Sequence, residues 1–206
     1  MSPKPLVGIL ALRNSNFNSV ANTLNTIESN YCLVSDAHGF AKIEKLIIPG
    51  VGKIGAVMNE IDLRDFRNLI LDFAKSGMPV LGICLGMQAL GSVSTEDLKA
   101  KTLSLLPFET EKLEEYPSIR IPHAGWNSIE ILKDESKLLR NIPNHTDFYF
   151  SHSFAVNKSE SASSSSTHGK KFVASVEFGS MYGVQFHPEK SQKYGKTVLT
   201  NFIEKC

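Results

Sequence analysis

The 206-residue sequence has no excess of either charge: 22 lysines and arginines stand against 21 aspartates and glutamates, a formal net charge of +1. Nucleic acids and anionic membranes are held through clustered positive charge, so neither is an expected partner. Cysteine is also scarce. Cys32, Cys84 and Cys206 make no disulfide framework, and the expected setting is the reducing cytoplasm. Long apolar runs are missing: none reaches the ~18–20 residues that span a bilayer, and the run within MSPKPLVGIL is too short for a secretory leader. No internal repeat is present. What the chain does have is a hydrophobic fraction of 42%, enough for a sizeable core. The length predicts one domain over 1–206.

The first ninety residues alternate between strand and helix patterns. LVGILAL (6–12) is a continuous apolar run suited to a parallel strand buried on both faces. Residues 16–28 follow with helical spacing of Phe17, Val20, Leu24 and Ile27. YCLVS (31–35) and KLIIPG (45–50) read as further strands, 54–77 as one amphipathic helix or two stopped by Gly77, and MPVLGIC (78–84) as a fourth strand. This alternation predicts an α/β fold around a mostly parallel sheet flanked by helices. The second half is richer in strands, expected at 103–113, 126–132, 147–156, 171–177 and 180–186. A helix over 191–204 closes it, with Ser191 as its N-cap. The serine-rich segment 157–171 reads as an exposed, mobile loop.

Gly82-Ile83-Cys84-Leu85-Gly86 matches the G-x-nucleophile-x-G elbow, with cysteine at the strained bend between strand and helix. Such a bend sets the sulfur at a helix N-terminus, where the positive dipole end favours a thiolate. It also frees the Leu85 N–H to donate to an oxyanion. The elbow alone does not separate a nucleophile from a small packed side chain. VQFHPEKS (184–191) adds a base. Pro188 keeps His187 extended, so that His187 and Glu189 share a face and the carboxylate can orient the imidazole. A nucleophile, a base and an orienter are the parts covalent catalysis requires. Read as metal ligands, His187 and Glu189 lack a third partner nearby.

GICLGMQ together with GVQFHPEKS resembles the class I, triad-type glutamine amidotransferases. More narrowly, LIIPGVGKIGAVM (46–58), IPHAGWNSIEI (121–131) and DFYFSHSF (147–154) are similar to the glutaminase subunits of imidazole glycerol phosphate synthase. The resemblance extends along nearly the whole chain. It implies the flavodoxin-like amidotransferase fold and hydrolysis of glutamine to glutamate and ammonia by Cys84, His187 and Glu189, with no cofactor and no metal. It implies oxyanion donors at Leu85 and in the Val51-Gly52 stretch. Glutamine contacts are implied at Gly50, Gly52, Gln88, Glu96, Ser151, His152 and Ser153. It also implies a heterodimer with a TIM-barrel cyclase subunit, contacted by Asn16, His123, Trp126, Asn127 and Lys190. That partner would use the ammonia to make imidazole glycerol phosphate and an aminoimidazole carboxamide ribotide in histidine biosynthesis.

Two segments depart from the family. The usual Gly-x-Gly-Asn turn after the first strand reads LRNSNFN (12–18), which keeps Asn16 but has Arg13 and Ser15 in place of the glycines. The segment 89–107 is shorter and lacks a glycine before LSL. Neither touches the expected triad. They leave two alternatives: a paralogous glutaminase supplying another synthase, for example in amidinated surface-sugar formation, or a catalytically silent binding subunit. Trp126 has a core alternative to its interface role.

Overall fold

A computed structural model describes residues 4–13 and 15–206. Residues 1–3 of the N-terminal stretch and position 14 of the altered turn lie outside the described residues. In chain order the first half forms β1 (Val7–Leu10), α1 (Phe17–Thr26), β2 (Tyr31–Val34), α2 (Ala37–Phe40), β3 (Lys45–Gly50), α3 (Ile54–Leu63), α4 (Phe66–Lys75), β4 (Val80–Cys84) and α5 (Leu85–Leu90). The second half adds the short strands β5 (Val93–Ser94), β6 (Glu109–Lys112), β7 (His123–Ser128), β8 (Glu130–Ile131), β9 (Asp147–His152) and β10 (Phe154–Ala155). The longer β11 (Ala162–His168) and β12 (Lys170–Phe178) follow, then β13 (Met181–Val184) and α6 (Gln192–Lys205).

Eight strands make the main sheet, in the order β2-β1-β3-β4-β13-β12-β11-β8. The first five are parallel to their neighbours, and β12, β11 and β8 extend the sheet antiparallel. The expected fold class is therefore observed. Every residue of β1, β3 and β4 is buried, because the crossover helices cover both faces of the parallel part. Ile9, Ile47, Leu81 and Ile83 pack with Val20 and Leu24 of α1 and with Val198 and Phe202 of α6. Leu10, Leu46, Ile48 and Val80 pack on the other side with Val57 and Ile61 of α3 and Phe66 and Ile70 of α4. A fully buried side chain of this size contributes about 1.5–3 kcal/mol.

The 54–77 segment is two helices. Asp65 adopts the left-handed conformation with φ 56° and separates them, and Gly77 with φ 80° ends the second. Of 103–113, only Glu109–Lys112 is a strand. Its earlier part is tied to the end of α5 by the Leu103 N–H on the Ala89 carbonyl and the Leu105 N–H on the Leu90 carbonyl.

The serine-rich segment corrects the reading from composition. Its centre is β11, a strand inside the main sheet, and Ser163, Ser164, Ser165 and Ser166 are all buried. Ser163 Oγ lies 2.7 Å and Ser164 Oγ 2.6 Å from Ser175 Oγ, while Ser166 Oγ donates to the Ser128 carbonyl at 2.7 Å. Hydroxyls paired with one another can be buried, and low hydropathy alone does not mark a loop.

Candidate active site

The site sits at the carboxyl ends of β3, β4 and β13. Cys84 closes β4 with φ 54° and ψ −108°, and α5 starts at the next residue. That backbone region costs a non-glycine residue about 1–3 kcal/mol and persists only where the surroundings impose it. Here they do. A Cβ on Gly82 would stand 2.5 Å from the Gly86 carbonyl oxygen, and one on Gly86 would stand 1.8 Å from the Ile48 carbonyl oxygen. The two glycines let strand and helix backbones cross in contact, and Cys84 is held at the crossing.

His187 reaches Cys84 because β13 lies beside β4 with Val184 opposite Ile83. The chain beyond β13 is clamped to β9. The His187 N–H donates to the Tyr149 carbonyl at 2.8 Å, and Ser191 Oγ donates to the His187 carbonyl at 2.6 Å. The same hydroxyl accepts the Tyr149 N–H at 3.0 Å. Ser191 precedes α6 as expected but makes no side-chain cap bond; its hydroxyl braces His187 instead. The His187 Nδ1–H donates to Glu189 Oε1 at 2.7 Å, with both side chains buried. The expected extended backbone is not what brings them together. Residues Pro188–Lys190 form a 3₁₀ turn that folds the carboxylate back under the ring.

Asn16 supplies a second donor to Glu189 Oε1, at 2.8 Å. On either side of position 14, the Arg13 N–H donates to the Glu60 carboxylate at 2.8 Å and Ser15 Oγ donates to the Leu12 carbonyl at 2.9 Å. Burial is the largest single influence on His187 and disfavours its charge. The negative charge and hydrogen bond of Cys84, followed by those of Glu189, together outweigh it and raise the pKa above the usual histidine value. Cys84 Sγ also lies 3.7 Å from Gln185 Nε2 and 3.8 Å from the Ser151 carbonyl oxygen.

Cys84 and His187 open on a cavity of about 210 Å³. Of the residues singled out from the sequence, Val51, Gly52, Leu85, Gln88, Glu96, Ser151, His152, Ser153 and Lys190 line it. Gly50 does not: it pairs with Cys84 in the sheet and lies beneath the elbow, where a Cβ would meet Gly86 N at 2.8 Å. Gly52 has φ 96° with open space beside its Cα, as a backbone turning toward a ligand requires. Glu96 accepts the Ile54 N–H at 2.8 Å, which ties it to the start of α3.

Both ring nitrogens of His152 are engaged within the protein. Its Nδ1 donates to the Phe154 carbonyl at 2.9 Å and its Nε2 faces His123 Nδ1 at 3.0 Å. His123 is itself buried and stacks on His168, with ring centroids 4.1 Å apart. Asn127 donates to His123 Nε2 at 3.2 Å and to the Thr167 carbonyl at 2.9 Å. Trp126 is half exposed, which removes its core alternative, and packs edge-on to Tyr149. The Lys190 ammonium stands 5.4 Å from the centre of the same tyrosine ring.

Sequence reasoning passed over Gln185, Tyr149 and the Phe154 carbonyl. Gln185 was within reach, since strand alternation puts it on the side of His187. Nothing local marked the other two, which act through backbone atoms.

The class-I glutamine amidotransferase model matches residues 14–206. The HisH subunit of imidazole glycerol phosphate synthase from Blochmanniella floridana is 36% identical over 190 residues, covering 92% of this chain and 94% of that protein. The HisH subunit from Chlorobaculum tepidum is 40% identical over 176 residues, 84% of this chain and 87% of that one. The chain belongs to the class-I glutamine amidotransferase family, among the HisH subunits. It is thus an enzyme of the amidotransferase class. Solved structures agree on the fold. A crystal structure of a glutamine amidotransferase superposes with a TM-score of 0.75 at 17% identity, covering 96% of this chain and 97% of that one. PurLQS from Thermotoga maritima gives 0.73 at 17% identity, with 97% of each chain covered. Among the described residues there is no cluster of three or more histidine, cysteine or acidic side chains able to hold a metal, and no helix long and apolar enough to cross a membrane.

Proposed function

We propose that this chain is the glutaminase subunit of an imidazole glycerol phosphate synthase and that Cys84, His187 and Glu189 form its catalytic triad. The observation that carries the reading is the strained Cys84 elbow sharing one cavity with His187, whose other ring nitrogen is held by buried Glu189 at 2.7 Å. The Cys84 thiolate attacks the side-chain amide carbon of glutamine. Oxygen takes the electron pair of the carbonyl, and the Leu85 N–H together with an N–H of the Val51-Gly52 stretch stabilises it. As the carbonyl re-forms, the C–N bond breaks. The departing nitrogen takes the imidazolium proton of His187 and leaves as ammonia. A water then gives a proton to neutral His187 and attacks the thioester carbon. The C–S bond breaks, glutamate leaves and the thiolate returns.

Gln88 and Glu96, with the Ser151–Ser153 wall, position the substrate. Ammonia passes to a TIM-barrel cyclase subunit docked on the face that carries Trp126, Asn127 and Lys190. That enzymes so similar in sequence are named as synthase subunits supports this partner. The test is a glutaminase assay of the chain with and without a histidine-pathway cyclase subunit and its nucleotide substrate. Cys84→Ala is expected to lower turnover by about 10⁴-fold or more while leaving the fold and the association intact. Activity surviving in that variant would remove the mechanism, and failure to associate with the cyclase would remove the partner.

A further inference from the structure

Two side-chain amides link the core of the protein to the reactive sulfur, and their direction is set by one backbone atom. The Phe154 carbonyl can only accept, so the group of Gln88 that faces it at 2.9 Å is the NH₂. The second N–H of that NH₂ goes to Gln185, 3.0 Å away, which must therefore present its oxygen. Gln185 is left with its own NH₂ turned toward Cys84 Sγ, at 3.7 Å. The reverse sense is excluded because it would set the Gln88 oxygen against the Phe154 carbonyl oxygen at 2.9 Å with no hydrogen between them; the same carbonyl also accepts the His152 Nδ1–H at 2.9 Å.

The backbone puts Gln185 in this place by register. Val184 pairs with Ile83 across the parallel strands, so the next residue of each chain, Gln185 and Cys84, stand level. Gln185 is completely buried. A donor without competing water acts strongly on a neighbouring negative charge. The partner oxygen of the chain, Gln88 Oε1, is buried with no hydrogen-bond partner among the described residues, in a side chain that lines the cavity, which leaves it free to accept from a substrate.

We propose that Gln185 is a catalytic residue whose amide N–H donates to the Cys84 thiolate, stabilising the charged nucleophile and holding the sulfur at the cavity wall before attack. His187 then need not be the sole group that stabilises the thiolate. Once the sulfur is bonded to carbon it is a weak acceptor, and the interaction that favoured the thiolate is lost and must be regained when the thioester breaks. The inference rests on the reading of Cys84 as nucleophile.

The experiment measures alkylation of Cys84 by iodoacetamide as a function of pH in the full chain, with the Cys84 peptide quantified by mass spectrometry. The variants are Gln185→Met and Gln185→Leu, which remove the donor with different side-chain shapes. Hydrogen bonds to charged groups are strong enough that the alkylation midpoint should move up by about one pH unit in each folded variant. Glutaminase kcat/KM at pH 7 should fall about tenfold in parallel. A midpoint that stays in place in either folded variant overturns the proposal and leaves Gln185 a packing residue. Since alkylation reads the thiol without substrate, that result is separable from a failure of the nucleophile assignment, which Cys84→Ala reports through activity.

Discussion

Asn16 donates to Glu189 Oε1 across 173 residues of sequence, at 2.8 Å, on the same oxygen that receives the His187 Nδ1–H. The other oxygen of Glu189 is buried and has no partner among the described residues. The orientation of the carboxylate, and through it of the imidazole, thus depends on a side chain at the start of α1, next to the turn where the sequence departs from its family. Asn16 reads as a positioning residue with respect to the proposed triad.

Asn16→Ala should therefore lower glutaminase kcat by about 10-fold or somewhat more, the scale set by one hydrogen bond to a charged group, with KM little changed. Steady-state kinetics across glutamine concentrations separates the two constants. A rise in KM alone would place Asn16 with substrate binding instead.

The elbow makes a stability prediction. A Cβ on Gly86 would sit 1.8 Å from the Ile48 carbonyl oxygen, backbone against backbone, where no rotamer relieves the clash. Gly86→Ala should cost about 3 kcal/mol or more, or prevent folding, as overpacking of rigid core atoms does. The urea midpoint of unfolding measures it.

Acid should destabilise the protein through the histidine pair behind the cavity. Burial, then the neighbouring His123, pushes His152 down to about 3 from an ordinary value of 6.5. Burial, then His168, lowers His123 to about 4. The Phe154 carbonyl opposes the shift of His152, while His168 and His187 face it and reinforce the lowering. Between pH 6.5 and these lowered values the unfolded chain binds protons that the native state refuses, so stability falls as pH falls. For His152 the loss between pH 7 and pH 5 is about 2 kcal/mol. Urea midpoints against pH should show this slope, and His152→Gln should flatten it whatever its absolute stability.

The buried serines of β11 predict that a small deletion is costly. Ser175→Ala removes the shared partner of Ser163 and Ser164, both fully buried. Leaving two hydroxyls unpaired should cost about 1–3 kcal/mol. Thermal unfolding tests it, and an unchanged midpoint would mean that the hydroxyls find other partners.

The strands and helices around the parallel sheet were legible in the sequence because their apolar periodicity reflects the faces they bury. Val20 and Leu24 and the continuous run of β4 could hardly be read otherwise. The glycine spacing around Cys84 was legible because only glycine permits the contact of β4 with α5. The serine segment misled because hydropathy does not record that one hydroxyl can satisfy another. The break at Asp65 and the 3₁₀ turn at Glu189 were hidden for a related reason, since a few backbone angles there are set by contacts from distant elements.

The nucleophile elbow was determined by the sequence itself, since the geometry of that local pattern follows from its glycines; the HPE motif marked His187 and Glu189 but not the 3₁₀ turn that joins them. The meeting of elbow and motif was not so determined. It required β13 to lie beside β4 in a particular register, which brought His187 and Gln185 to Cys84 and brought Asn16 under Glu189. The direction of the amide chain likewise came from the Phe154 carbonyl, a group every residue carries and no sequence pattern marks. Local rules act over a few residues, whereas these contacts exist only after the two layers have packed against the sheet.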